Sequence, residues 1–255
     1  MTNLNKEKRG LAHNLVIVVL SFMLMSCTAE RNPATFSGFL AQDLNEKITS
    51  GTHKKKFDNF ILVMDASGTM NSEYLYEAFD TDVLPTLFEV EKEIGNRLNK
   101  TLPNFDINAG IRTFGFGSCQ SWGFSAVWLP LGPYNKNTFS EAINAIECAG
   151  GGSPMEYAIE QAGEDLESVN GRTAIIIVSD GDMDKSPIFA VVEIRKKYEE
   201  RVCIYTISLS NDKISKLSMR RLSAFSGCGF TIAAEEIASS EGMADYVERV
   251  FLAKE

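Results

Sequence analysis

The feature that most constrains this fold is the run Phe60-Ile61-Leu62-Val63-Met64, followed at once by Asp65-Ala66-Ser67-Gly68-Thr69. An unbroken apolar run reads as a strand buried on both faces, as in a parallel sheet covered by helices. The abrupt change to an acid, hydroxyls and a glycine places polar groups at the strand's carboxyl end, where open α/β sheets put their ligands. Oxygen donors with no His or Cys among them suit a hard cation such as Mg²⁺, Mn²⁺ or Ca²⁺. One short loop cannot enclose an ion, so this reading demands oxygens from other loops.

The rest of the chain supplies them in the expected places. Residues 173–178 read as a second fully buried strand, which breaks into Ser179-Asp180-Gly181-Asp182. Between the two, Gly150-Gly151-Gly152-Ser153-Pro154 reads as a flexible loop meeting a helix, with Pro154 in the first turn and Ser153 as the N-cap. Residues 106–114, 202–209 and 230–232 read as further strands, and the short, proline-containing 125–131 reads as an edge strand. Amphipathic stretches predict helices over about 82–99, 137–147, 154–167, 186–199 and 213–225, and a last one near the C-terminus. The fold class expected for 57–255 is therefore α/β: a doubly wound, mostly parallel sheet with one antiparallel edge strand, flanked by helices. Trp122, Phe124 and Tyr134 read as either an exposed contact patch or a corner of the hydrophobic core, with the core favoured, and Asp182 as either an aid to the site or, the favoured reading, an acid at a helix N-terminus.

The first 56 residues differ in character. A basic start, 5–9, precedes an apolar run, 15–24, too short for a comfortable membrane span. It ends in Leu24-Met25-Ser26-Cys27, which resembles a bacterial lipobox. The resemblance implies a signal peptide over 1–26, a lipid anchor on Cys27 and a tether over 27–56. Thr28 follows the cysteine in place of an aspartate, which implies an outer-membrane destination in a Gram-negative host.

Charge and composition exclude several functions. A formal net charge of -9 argues against a nucleic-acid partner, which needs a basic face. Only two histidines occur, His13 and His53, so a histidine-based triad or zinc site is not expected in the domain. No Gly-x-x-x-x-Gly-Lys-Ser/Thr phosphate loop is present. Asp65-Ala66-Ser67-Gly68-Thr69 superficially resembles the nucleophile loop of haloacid-dehalogenase phosphatases, but Ser67 stands where their second acid protonates the leaving group. A non-enzymatic role is the expectation.

Taken in order, the three loops resemble the metal-ion-dependent adhesion site of von Willebrand factor A domains. That family shows Asp-x-Ser-x-Ser in the first loop, a hydroxyl residue after a glycine-rich turn in the second, and an aspartate in the third. The resemblance spans about 57–252 and is narrowest to bacterial envelope lipoproteins that carry such a domain. It implies that Ser67, Thr69 and Ser153 ligate a divalent cation directly, Mg²⁺ first among candidates, while Asp65 and Asp180 hold it through waters. It also implies an open coordination position for an acidic side chain of a protein partner. Thr69 and Ser153 exchange the family's usual hydroxyl residues but keep the oxygen, whereas the acidic, aromatic segment 73–82 is longer than the pattern. A structural envelope subunit with a vestigial site is the alternative.

With Cys27 assigned to lipid, four of the five cysteines remain, and export would let disulfides persist. Cys203 opens one expected strand and Cys228 precedes the next; as parallel neighbours these lie at one sheet end, within bridging distance. Cys119 and Cys148 are then left to pair beside the glycine-rich loop.

Overall fold

The structure, a computed structural model, describes residues 31–117, 119 and 122–255. The leader and the expected lipidation site Cys27 lie outside the described residues. The main folded unit runs from Ala34 to Glu255, so it begins before the expected boundary at residue 57. Residues 34–56, expected as a tether, are built onto the domain. Phe36 makes an isolated bridge to Thr81, Phe36 and Phe39 pack against the core, and Leu44 is buried within it. These apolar residues are too widely spaced to show a period in sequence, yet each finds its own place against apolar neighbours. A short helix, α1 (Asn45–Thr49), leads to β1 (His53–Lys55), which pairs antiparallel with β8 (Leu252–Lys254).

The central sheet is built around two strands. β2 (Asn59–Asp65) and β5 (Thr173–Ser179) run parallel side by side, and every residue of both is buried. β3 (Asn108–Phe114) flanks β2 and β6 (Val202–Ser208) flanks β5, both in parallel. The edges are β4 (Ser125–Pro133), antiparallel to β3, and the short β7 (Thr231–Ala233). Among the described residues the strand order is β4-β3-β2-β5-β6-β7. The expected fold class is observed, down to the antiparallel edge.

Successive residues of β2 point to opposite faces and divide the core in two. Phe60, Leu62 and Met64 join a cluster with Ile94 and Leu98 of α2 (Leu87–Thr101), Phe139 of α3 (Lys136–Ala145), and Tyr246 of the C-terminal helix Ser240–Phe251. Ile61 and Val63 join a second cluster with Ile159 of α4 (Met155–Asp165), Val191 of α5 (Ile188–Tyr198), and Met219 of α6 (Lys213–Phe225). Each fully buried Ile, Leu or Phe contributes about 1.5–3 kcal/mol, so both faces are needed to hold the sheet flat between its helix layers.

Helix α2 starts later than its apolar stripe implies. Thr86 and Glu89 form a capping box: the Glu89 N–H donates to Thr86 Oγ1 at 3.2 Å and the Thr86 N–H to Glu89 Oε2 at 2.7 Å. Pro85 biases the residue before it away from helical geometry, which keeps 82–85 outside the helix.

Candidate metal centre

Asp65 ends β2 and is completely buried. Its Oδ1 accepts the Ser67 N–H at 2.9 Å and its Oδ2 accepts the Ser179 hydroxyl at 2.6 Å. The Ser67 and Thr69 hydroxyls lie 3.1 Å apart and share a hydrogen bond. Thr69 also hydrogen-bonds the Asp180 carboxylate, whose Oδ1 accepts the Asp182 N–H at 2.9 Å. Asp65, Ser67, Thr69 and Asp180 therefore form one connected group at the carboxyl ends of β2 and β5.

Ser153 arrives differently from the way its sequence suggests. It does not cap α4, whose N-cap position is taken by Pro154. Its hydroxyl donates to the Asp182 carbonyl at 2.7 Å, and its N–H donates to Asp184 Oδ2 at 2.7 Å. The glycine-rich loop is turned inward by contact with the first loop: the Gly68 N–H donates to Gly151 O at 2.9 Å and the Gly150 N–H to Ala66 O at 2.8 Å. Gly151 sits at φ 77°, and a Cβ there would collide with the Phe116 carbonyl at 1.5 Å, so only glycine allows the approach. Asp182 is likewise not a helix N-terminal acid, because α5 begins only at Ile188. Its backbone, not its carboxylate, does the positioning.

The electrostatics are dominated by unneutralised burial. Burial, and after it the charge of Asp180, pushes the Asp65 carboxyl up to about 7. Burial also raises Asp180. Behind both stands Glu91 on α2, fully buried, whose Oε1 accepts the Asp65 N–H at 2.6 Å. Its Oε2 finds no hydrogen-bond partner among the described residues, and burial followed by the Asp65 charge raises its carboxyl well above the usual range. Sequence reasoning missed Glu91, although the signal was there: an acid within the stripe formed by Leu87, Ile94 and Leu98. Ser179 and Asp184 were missed as well, because their roles depend on contacts between loops far apart in the chain.

The donors fit a hard divalent cation. They are carboxylates and hydroxyls, and among the described residues no group of His, Cys, Asp and Glu side chains forms a metal cluster by itself. A cation here would relieve the crowding of Asp65 and Asp180, with the Ser67, Thr69 and Ser179 hydroxyls beside them and Ser153 on the adjoining turn.

Two surfaces border the centre. Segment 73–85 folds back on itself through the bridge between Glu73 and Thr86 and buries Tyr74 and Phe79 in the core. With Asp180, Asp182 and Leu209 it lines a cleft of about 350 Å³, where Leu75 is 72% exposed. On the other side, Phe116 stacks on Phe124 at 5.2 Å, and Phe124 meets Tyr157 edge-on at 5.8 Å. Trp122 and Phe124 are exposed, contrary to the core expectation, while Tyr134 packs on Phe60 and Phe139 as expected. The reason is the pull of Phe116 toward the glycine-rich loop, through its N–H to Gly150 O at 3.2 Å, which carries the aromatic group out over that loop.

Both expected disulfides form. Cys119–Cys148 ties the aromatic loop to the approach of the glycine-rich loop, with Cα atoms 5.5 Å apart. Cys203–Cys228 joins the start of β6 to the turn before β7, with Cα atoms 4.9 Å apart.

Residues 60–182 match the family model of the von Willebrand factor type A domain, a span that includes all five candidate ligands. The fold is that of a von Willebrand factor type A domain. A von Willebrand factor type A protein from Catenulispora acidiphila superposes with a TM-score of 0.53 at 13% identity, covering 85% of this chain and 49% of that one. Proximal thread matrix protein 1 of the mussel byssus gives 0.51 at 13% identity, over 77% of this chain and 48% of that one. The von Willebrand factor domain of a type V pilus tip protein from Porphyromonas gingivalis gives 0.50 at 10% identity, over 77% and 97%. The chain spans about half the length of the first two, and identities this low speak for the fold alone. Comparison with curated protein sequences finds no match.

Proposed function

We propose that this von Willebrand factor A domain is a cation-dependent protein-binding module, held at the bacterial cell envelope by a lipid on Cys27. The observation that carries the reading is the grouping of Asp65 and Asp180 with the Ser67 and Thr69 hydroxyls at one sheet end, beside the Asp182 turn that holds the Ser153 hydroxyl, with no cationic side chain bonded to either acid among the described residues. Mg²⁺ is the cation proposed, with Mn²⁺ and Ca²⁺ able to use the same oxygens. A divalent ion held largely through hydroxyls and waters keeps net positive charge, and an acidic side chain of a partner is the complementary ligand. The exposed Phe116, Trp122 and Phe124 supply the apolar contact such a partner needs. The pilus tip domain of the same fold supports a surface role by analogy. No catalytic role is assigned.

A second reading, a structural envelope subunit, draws on one observation: the hydroxyls already satisfy one another and the Asp182 carbonyl without an ion. Titration calorimetry of the chelator-stripped chain with Mg²⁺ and Mn²⁺ separates the two. The module reading expects heat and a rise in melting temperature, both abolished by Asp65→Ala and weakened by Ser67→Ala and Ser153→Ala. Absence of heat and of stabilisation at millimolar metal leaves the structural reading standing.

A further inference from the structure

The opposite end of the sheet carries the opposite charge. A cavity of about 750 Å³ opens there, lined by Arg172, Arg195, Glu199, Glu200, Arg201 and the turn 226–228. Arg172 and Arg201 immediately precede β5 and β6, and Arg195 lies in the last turn of α5. The topology of parallel strands thus gathers guanidinium groups from distant parts of the chain.

Arg195 and Arg201 are held by neutral partners, whereas the Asp58 carboxylate accepts the Arg172 backbone N–H at 3.0 Å and feels the charge of the Arg172 guanidinium. Arg201 Nε donates to Gly171 O at 3.2 Å, and Arg195 Nη1 donates to Phe225 O at 3.3 Å. The Arg172 guanidinium stands 5.2 Å from the centre of the Phe57 ring. Gly227, at φ 82°, leaves room for Arg195, since a Cβ there would come within 3.0 Å of its guanidinium carbon. Glu199 and Glu200 share the lining, but among the described residues neither forms an ion pair with these arginines. Glu199 itself is held at φ 52°, an uncommon backbone for a residue with a side chain, at the rim of the cavity. Lys56 and Arg249 extend the cationic group, with the Lys56 ammonium donating to Arg249 O at 2.6 Å. Burial first, then the charges of Arg172 and Arg249, holds that ammonium below its usual range. Such crowding stands out in a chain of net charge -9.

We propose that this cavity is an anion site for a phosphoryl group, read by Arg172, Arg195 and Arg201. A guanidinium presents paired donors that match two oxygens of a phosphate or carboxylate. Against Glu199 and Glu200 the three guanidiniums leave one net positive charge in the lining, so the choice of ligand rests on donors: a phosphoryl group offers more oxygens than a carboxylate to guanidiniums that reach it from separate elements. Soluble phosphate esters and anionic lipid headgroups share that chemistry.

The test uses the full chain with Cys27→Ser, so that no lipid anchor contributes, in EDTA, so that the cation site at the other sheet end is silent. Titration calorimetry with inorganic pyrophosphate probes the soluble source, and co-sedimentation with phosphatidylglycerol against phosphatidylcholine vesicles probes the lipid source. Binding in either arm is expected to weaken about tenfold in Arg195→Gln and in Arg201→Gln, each a loss of one charge-assisted contact. Arg172→Gln, at an exposed position, repeats the measurement should either of the others unfold the chain. No binding in both arms, equal binding of malonate, or variants that bind as the wild type would each overturn the proposal.

Discussion

The two ends of the sheet have inverse electrostatics and differ in how they tolerate it. At the carboxyl end, Asp65, Asp180 and Glu91 are buried together, and their neighbours are hydroxyls and backbone amides. At the amino end the charges are cationic and mostly exposed, so water screens them. Like charges in a low-dielectric site cost far more than the same charges at a surface. The buried end therefore holds its acids toward the protonated form, which a bound cation would reverse, while the exposed end leaves its charges to the solvent. Each end also carries one disulfide, so covalent stiffening is not what distinguishes them.

The largest effect expected from this contrast is a pH dependence confined to the cation-free state. The Asp65 carboxyl is raised from 3.8 to about 7. A raised acid contributes stability in full below its unfolded value, and that contribution is lost as pH rises through the folded value. In chelator, the unfolding free energy should fall on the order of 4 kcal/mol between about pH 4 and about pH 8. Saturating Mg²⁺ at the upper pH should restore it. Denaturant melts across that window check this, and a flat profile in chelator breaks the contrast at its stronger end.

The disulfides sharpen it. Replacing Cys203 and Cys228 by Ser should cost about 3 kcal/mol from the loop they close, with no change in the response to cation. Replacing Cys119 and Cys148 opens a loop of similar length, and should also weaken cation binding, because Cys148 leads directly into the Gly150–Ser153 loop. Melts with and without Mg²⁺ separate the two; equal responses would show that the carboxyl end does not depend on its bridge.

The smallest expected effect concerns Glu91. Glu91→Gln keeps an oxygen for the Asp65 N–H and removes an acid from a crowded site, so stability in chelator should hold or rise slightly. Glu91→Ala leaves that amide unpaired and should cost about 1–3 kcal/mol. If both variants lose equally, the residue is a packing element and the charge contrast has one member fewer.

How much of this was legible depended on distance along the chain. The β2 and β5 runs are read directly because burial on both faces leaves five consecutive apolar residues in each, 60–64 and 174–178, with polar residues only at the strand ends. Four of the five candidate ligands, which come from the loops that end those strands or lie beside them, lie in one hydrogen-bonded group. Ser153 was legible as a member of the site but not in its bonding, since its hydroxyl is claimed by the Asp182 carbonyl across a separation of 29 residues. The docking of 34–56 was hidden for a related reason. Phe36 and Leu44 contribute single contacts to a surface built elsewhere, and single contacts leave no period to read. Trp122 and Phe124 were misplaced because composition does not say which side of a loop an aromatic group takes.

The ladder between β1 and β8 has a mechanical consequence. His53 pairs with Lys254 and Lys55 with Leu252, so the chain passes into and out of the folded unit side by side. A pull on the segment before Leu44, resisted by a partner at Asp65, would first peel Phe36, Phe39 and Leu44 from the domain one contact after another. Only after that does the load reach β1, and through its hydrogen bonds the C-terminal helix that packs on Phe60. Residues 34–44 would thus give way first under tension, while the β1–β8 ladder and the central sheet stay whole.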